Sequence, residues 1–385
     1  MSVLLLILGL ALFVMLVVVH EFGHFILARH NNVDVEEFGI GFPPRAWGRR
    51  LKSGLLLSVN WLPLGGFVRL KGEHDADTDK GSFGAANLKA KSKILLAGVS
   101  MNLLTAFSLF TILAWLGIPK LIDNQFTIKR DTKVTSDRVM VAEVEPNSPA
   151  QKAGIKLRDQ LLSIRRPNGQ TDVITSAEAL PHITKADAGQ HVQVQIERDG
   201  NELTRTVTLR SAKEVSTSQN KGYLGIAPAE YSLQKSTWSA PVTGAGLLVQ
   251  LTTLSFKGLG VVVKGLGSFV AGLLTHNHAA REAGQTKASQ NVAGPLGIFY
   301  ILRDSSLLGY QFILMIVAVI SLTLAIMNAL PIPALDGGRL FVILVYRTMR
   351  RPLKPKTEDR IHGTGFLVLL ALVVLITIID FRRMH

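Results

Sequence analysis

His20-Glu21-Phe22-Gly23-His24 places two histidines four residues apart with a glutamate beside the first, the pattern in this chain best suited to metal chemistry. Positions four apart share one face of a helix, so both imidazoles can reach a single ion. Two imidazoles suit zinc, and a free carboxylate beside the metal suits a general base acting on a metal-bound water. Such a motif also arises by chance, and a lone histidine on a helix is usually packed or solvated. The setting separates this one: Val17-Val18-Val19 precede it and Phe25-Ile26-Leu27 follow, and ionisable groups are costly in so apolar a stretch. A second carboxylate lies far along the chain, in Asn328-Ala329-Leu330-Pro331-Ile332-Pro333-Ala334-Leu335-Asp336-Gly337-Gly338. Two prolines two apart break a helix there, and a carboxylate near the membrane calls for a partner. Asp336 is therefore the expected third ligand, with the fourth position left for water. Its bland alternative is a helix cap near Gly337.

The elements that must position these groups read as membrane spans. Of 385 residues 48% are hydrophobic, and the mean hydropathy is +0.29, too apolar for an average soluble protein. Apolar runs of near-spanning length cover residues 3–27, 94–118 and 312–330, with a shorter fourth at 366–380. The first has neither a basic leader nor an A-x-A-like cleavage site, so it is expected to stay. The expected fold is thus a polytopic α-helical membrane protein of about four transmembrane helices. The 42 Lys+Arg against 28 Asp+Glu give a net charge of +14, but the basic residues gather beside the apolar spans, which favours a lipid bilayer over nucleic acid as partner. Loops between the first two and the last two spans carry the basic runs and are expected on the cytoplasmic side, the long middle region outside. There is no cysteine, which excludes disulfides, thiolate zinc sites and cysteine nucleophiles.

Between the spans lie three further expectations. Residues 37–73 alternate and carry turn signals at Ser53-Gly54 and Gly65-Gly66, which predicts a β-hairpin apolar enough to dip into the membrane; its open edge suits pairing with an extended peptide, and a purely structural role is the alternative. Residues 139–226, within a soluble insertion spanning 119–235, read as short strands and turns. Ser148-Pro149-Ala150, Gly154-Ile155-Lys156-Leu157-Arg158-Asp159 and Arg198-Asp199-Gly200-Asn201 resemble a single PDZ domain of α+β type, although many relatives have Gly where Arg158 stands. That likeness offers Tyr223, Leu224, Gly225 and Ile226 as candidates for binding a peptide or a newly formed C-terminus, against the plainer view that these glycines turn the chain back toward the membrane. Residues 239–274, interrupted by Gln250, Lys257 and Lys264, read as an amphipathic linker or a broken pair of helices and not as a crossing, because one more crossing would separate the two basic loops. His276-Asn277-His278 reads as a solvated loop.

Taken with Gly65-Gly66-Phe67-Val68-Arg69-Leu70-Lys71-Gly72-Glu73, Ala97-Gly98-Val99-Ser100-Met101-Asn102 and Gly294-Pro295-Leu296-Gly297-Ile298, these motifs resemble the site-2 protease family of intramembrane zinc metalloproteases, in its bacterial branch containing the regulator of sigma-E protease. Val99 replaces the proline common in that family, and one PDZ-like unit stands where some members have two. The resemblance implies that His20, His24 and Asp336 hold one Zn2+ and that Glu21 moves a proton from water to the leaving amine. It also implies that Asn328 orients the substrate, and that Gly66, Phe67, Val68, Arg69 and Leu70 hold an unwound substrate strand. It further implies single-span membrane proteins as substrates and a bacterial inner membrane as the location. A non-catalytic PDZ scaffold on four spans is the rival of another class; it leaves three ionisable groups at one membrane depth unexplained. A zinc-dependent transporter is disfavoured by the short span count and the lack of internal repeats.

Overall fold

The computed structural model describes residues 2–122, 124–198, 200–216, 222–275 and 309–384. The His276-Asn277-His278 and Gly294-Pro295-Leu296-Gly297-Ile298 stretches lie outside them. Two compact units emerge: Met1–Leu116 with Phe126–Ile128 and Trp238–His385, and Gly117–Gln125 with Lys129–Thr237.

The first unit begins with α1 (Ser2–His30), apolar nearly throughout. It ends where Asn31 donates its side-chain amide to the Leu27 carbonyl and Asn32 turns left-handed at φ 58°. Next come strands β1 (Val35–Arg50) and β2 (Leu56–Leu70), joined by a turn in which Gly54 adopts φ 86°. Their register is not that of a simple hairpin. Glu37 faces both Arg69 and Leu56, and Ile40 faces both Gly66 and Val59, while Arg45 and Arg50 face Asn60 and Leu56. Each strand therefore doubles back, and residues 66–70 become an outer strand whose only strand partner among the described residues is β1.

Helix α2 (Leu88–Leu95) starts at Asn87, whose side chain accepts the Ala90 N–H, and α3 (Ala97–Leu116) follows after one residue. Further on come α7 (Ala240–Leu274), α8 (Tyr310–Ala329), α9 (Asp336–Thr348) and α10 (Pro355–Met384). Among the described residues four helical stretches are long and apolar enough to cross a membrane: Ile7–His30, Leu88–Leu116, Ala240–Gly265 and Tyr310–Ala329. The third covers most of residues 239–274, which form one unbroken helix, the first of the two forms expected for them, and not a broken pair. Of the residues that read as interruptions, Gln250 has other work. Gln250 accepts the Phe126 backbone N–H at 2.8 Å, and Gly244 and Gly246 sit against Thr111 and Phe126, where a Cβ would collide. Small residues let apolar helices approach in this way. The expected fourth span, 366–380, lies within α10.

The second unit is a seven-stranded sheet formed by β3 (Ile118–Pro119), β4 (Lys133–Val144), β5 (Gln160–Arg165), β6 (Thr171–Val173), β7 (His191–Arg198), β8 (Asn201–Thr208) and β9 (Ile226–Lys235). Strand order is β3-β9-β4-β5-β7-β8, with β6 pairing β5, and every pairing is antiparallel. Short helices α4 (Pro149–Lys152), α5 (Ala179–Ala186) and α6 (Ala212–Ser216) complete it. Alternate residues of the strands, among them Val139, Val141, Leu161, Ile164, Val192, Val194 and Ile196, fill one core together with Leu180 of α5 and Leu224. Arg158 holds φ 71°, a conformation that favours glycine.

Candidate metal centre

His20 and His24 lie one turn apart on α1, both buried. What brings α3 against them is a pair of glycines. A Cβ on Gly23 would sit 2.7 Å from the Ala97 carbonyl oxygen, so its absence lets the two helices touch. Gly98 answers from the other side: a Cβ there would lie 2.5 Å from Nε2 of both His20 and His24. The imidazoles are fixed from behind. Nδ1 of His24 donates to the Ile94 carbonyl at 2.8 Å, and Nδ1 of His20 meets the Asn102 side-chain amide at 3.1 Å.

Asp336 arrives from the far end of the chain because α8 stops. Leu330 turns extended, the Pro331–Pro333 stretch cannot continue a helix, and Ala334 adopts φ 80° before α9 begins. The tight return needs Gly337 and Gly338, since a Cβ on either would strike the backbone of Ala329, Leu330 or Ile332. The His362 ring holds the bend by accepting the Ala334 N–H at 3.2 Å; burial keeps its pKa below the ordinary histidine value, so the accepting nitrogen is unprotonated at neutral pH. Asp336 is the first residue of α9, and the cap position is Leu335, so the carboxylate is not spent on capping.

Its Oδ2 lies 3.1 Å from Nε2 of His20 and 3.2 Å from Nε2 of His24, and the two Nε2 atoms are 3.2 Å apart. Three donor atoms thus form a nearly equilateral triangle. A tetrahedral ion about 2.0–2.1 Å from each ligand would set its ligands about 3.3–3.4 Å apart, so the triangle fits zinc without rearrangement. Two imidazoles and a carboxylate with one open position are also the ligand set of catalytic zinc. Among the described residues this is the one cluster of three or more such groups.

Glu21 is half-buried between this triangle and the outer strand. Its Cγ is 3.3 Å from where a Cβ of Gly66 would stand, and its carboxylate interacts with the Val68 backbone. Gly66 and Val68 are therefore brought beside the glutamate, whereas Phe67, Arg69 and Leu70 of the same outer strand meet Gly39, Glu37 and Glu73. Arg69 pairs with Glu37 at 3.2 Å. Asn328 lies half-buried in the last turn of α8 and enters none of the described hydrogen bonds of the centre. In the second unit, the Leu224 side chain is in the core, and the carbonyls of Tyr223, Leu224 and Gly225 accept from Arg210, Ala150 and Glu145. Gly98, Asn102 and His362 were not singled out by the sequence as site residues. No spacing rule marks them, because their parts depend on which helices meet.

The chain matches peptidase family M50 over residues 8–372. It is 30% identical over 374 residues to a protein of Clostridium perfringens named as a zinc metalloprotease, with 97% of each chain covered. It is 29% identical to another so named in Campylobacter jejuni, covering 96% of this chain and 90% of that one. Zinc metalloprotease RasP of Geobacillus kaustophilus is 24% identical, with coverage of 96% and 95%. A metal triad with a glutamate at its side, four apolar helices and a family match along nearly the whole sequence agree: the chain belongs to peptidase family M50, the site-2 protease-type zinc metalloproteases.

Proposed function

We propose that the protein cuts transmembrane segments of single-span membrane proteins within the bilayer, using one zinc ion and Glu21. The observation that carries this is the open edge of residues 66–70 beside Glu21 and the His20–His24–Asp336 triangle. A helical substrate hides its carbonyls in its own hydrogen bonds, so it must unwind locally before cleavage. An extended segment gains backbone partners by adding to the outer strand, which aligns one carbonyl with the centre. Zinc held by the triangle supplies a Lewis acid for that carbonyl and a water acidified toward a pKa of ~7. Glu21 accepts the proton of the attacking water and delivers it to the leaving amine. Asn328, one helix end away from Asp336, is the proposed side-chain partner of the substrate carbonyl.

The basic loops support a metal centre near the cytoplasmic face of a bacterial inner membrane, with the sheet unit outside. That unit is read as a PDZ-like filter which admits substrates already trimmed on the outside. Two features support it: the N–H groups of Tyr223, Leu224 and Gly225 donate to none of the described hydrogen bonds, and β9 beyond Ile226 pairs only with β4 along most of its length, leaving an edge. Such an edge suits a peptide terminus.

The test uses full-length protein in detergent and a model single-span peptide. Cleavage is expected to stop on removal of zinc by a chelator and to return when zinc is added back. Glu21→Gln is expected to lose at least ~100-fold in cleavage rate, in the range of a lost general base, while keeping its metal. Cleavage by Glu21→Gln at the wild-type rate would sink the mechanism.

A further inference from the structure

Asn102 has no exposed surface, and among the described contacts its side-chain amide has one partner, Nδ1 of His20 at 3.1 Å. Its Oδ1 is buried without a hydrogen-bond partner. The backbone around it is held: the Asn102 carbonyl accepts from the hydroxyl of Ser321, itself fully buried, at 2.8 Å. A rigidly placed amide with a single polar neighbour has little else to do than act on that neighbour.

The identity of the facing atom follows from the ring. Nε2 of His20 is turned toward Asp336 and His24. A neutral imidazole that offers Nε2 to a metal must carry its proton on Nδ1, and that proton needs an acceptor. An amide nitrogen cannot accept it; an amide oxygen can. The two ends of an asparagine side chain exchange by a half-turn and are distinguished only by their hydrogen-bond partners. The half-turn brings the unpartnered Oδ1 onto the one neighbour with a proton to give. His24 already shows the same arrangement, with Nδ1 donating to the Ile94 carbonyl.

We propose that Asn102 is the positioning residue for His20: its Oδ1 accepts the Nδ1 proton and so commits Nε2 to the metal. This rests on the zinc reading above. With Ile94, it makes α2 and α3 the outer support of both imidazoles, so the helices that contribute no ligand decide which nitrogen each ligand presents. Outer partners of metal-bound histidines fix tautomer and ring orientation and raise ligand basicity.

The experiment compares wild type, Asn102→Leu and Asn102→Asp, each full-length in detergent, by zinc competition against a chromogenic chelator. Helical circular dichroism and elution volume check that each is folded. Leu keeps the volume and removes the acceptor, and is expected to weaken zinc binding by about 10–100-fold. Asp keeps an acceptor and has no donor, and is expected to hold zinc close to wild type. Leu binding zinc as wild type does, or Asp losing it as far as Leu, would overturn the proposal. Should both variants misfold, the nitrogen-15 spectrum of histidine-labelled wild type with zinc decides, with His20 assigned by the signal that His20→Gln removes. A protonated Nδ1 supports the proposal and a bare one overturns it. A wild type that takes up no zinc overturns the metal reading and this inference with it, whereas the Leu result bears on this inference alone.

Discussion

Gly98→Ala probes how tightly the two imidazoles are held, because it sets a methyl group against both rings. Gly98 is the second residue of α3, in its first turn, where alanine gains less over glycine than in a helix interior. The added Cβ would stand 2.5 Å from Nε2 of both histidines, and an ordinary contact needs 3.4 Å or more, so the rings must retreat by about 0.9 Å. They are not free to do so. The Nδ1 contacts to Ile94 and Asn102 are 2.8 and 3.1 Å, and a retreat of that size stretches or bends both out of hydrogen-bonding range. Two hydrogen bonds at about 0.5–1.5 kcal/mol each give a cost of about 1–3 kcal/mol. At 1.4 kcal/mol per tenfold, zinc affinity falls by about 5–150-fold, before any direct exclusion of the ion. The assay is chelator competition on detergent-purified protein, beside thermal melting of the metal-free form. Expected are weaker zinc binding, a proportional loss of cleavage at limiting zinc, and an apo-protein melting point at or below wild type, since the same contacts are lost without metal. Wild-type zinc affinity in Gly98→Ala would refute the reasoning, since the imidazoles would then not be held where the Nδ1 contacts place them.

Two further tests address the frame around the site. Arg158 sits at φ 71°, where a non-glycine residue costs about 1–2 kcal/mol, part of which returns as lost chain entropy in the unfolded state on replacement by glycine. Arg158→Gly is expected to raise the melting transition of the sheet unit by a few degrees in calorimetry, and a lowered transition would show that the arginine side chain outweighs the backbone. Nε2 of His74 donates to the Asp359 carboxylate at 2.9 Å, and that carboxylate raises its pKa above the usual histidine value. A group with a raised folded pKa contributes stability that is complete below its unfolded pKa of ~6.5 and fades as pH rises through the folded value. The melting-point difference between wild type and His74→Asn should therefore be largest near pH 6 and shrink toward alkaline pH, and a difference that grows with pH would contradict this pairing.

What the sequence made legible depended on whether a residue's role is local. His20, Glu21 and His24 could be read together because a helix alone fixes their common face, and Asp336 could be added because a carboxylate in a proline-broken apolar stretch needs a partner. Residues 66–70 were legible as a strand, and their strand partner less so: the doubling back that leaves them outermost appears only in the paired register of Glu37 and Ile40 with two segments of β2. Gly98 and Asn102 could be quoted as part of a motif without a role, since one acts by lacking a Cβ where two rings from another helix arrive. The form of residues 239–274 was left open for a related reason. Gln250 looks like an interruption until Phe126 is seen to donate its backbone N–H to it, and Gly244 gains a role only where α3 brings Thr111 against it.

Strand edge and ligand helix are also tied to each other. Arg339 stands one turn beyond Asp336 on α9; its guanidinium lies 5.0 Å from the Phe83 ring centre and donates to the Glu73 carbonyl. Glu73 in turn accepts the Leu70 N–H at 2.9 Å, where the outer strand ends. Over the same ring, 5.5 Å from its centre, lies the ammonium of Lys91 of α2, fully buried and paired with Asp75, whose own N–H donates to Glu358 at the start of α10 at 3.0 Å. Burial pushes the Glu358 carboxyl up in pKa, which is the cost of setting a carboxylate in this network. Buried ion pairs of this kind add little net stability against an apolar replacement, and their best-supported use is to select one arrangement over others. Here the arrangement selected is the register between residues 66–70 and Asp336. A carbonyl held by the strand must meet a metal held partly by α9, and Arg339 is a hydrogen-bonded route between the two beside the one through His20, Glu21 and Val68.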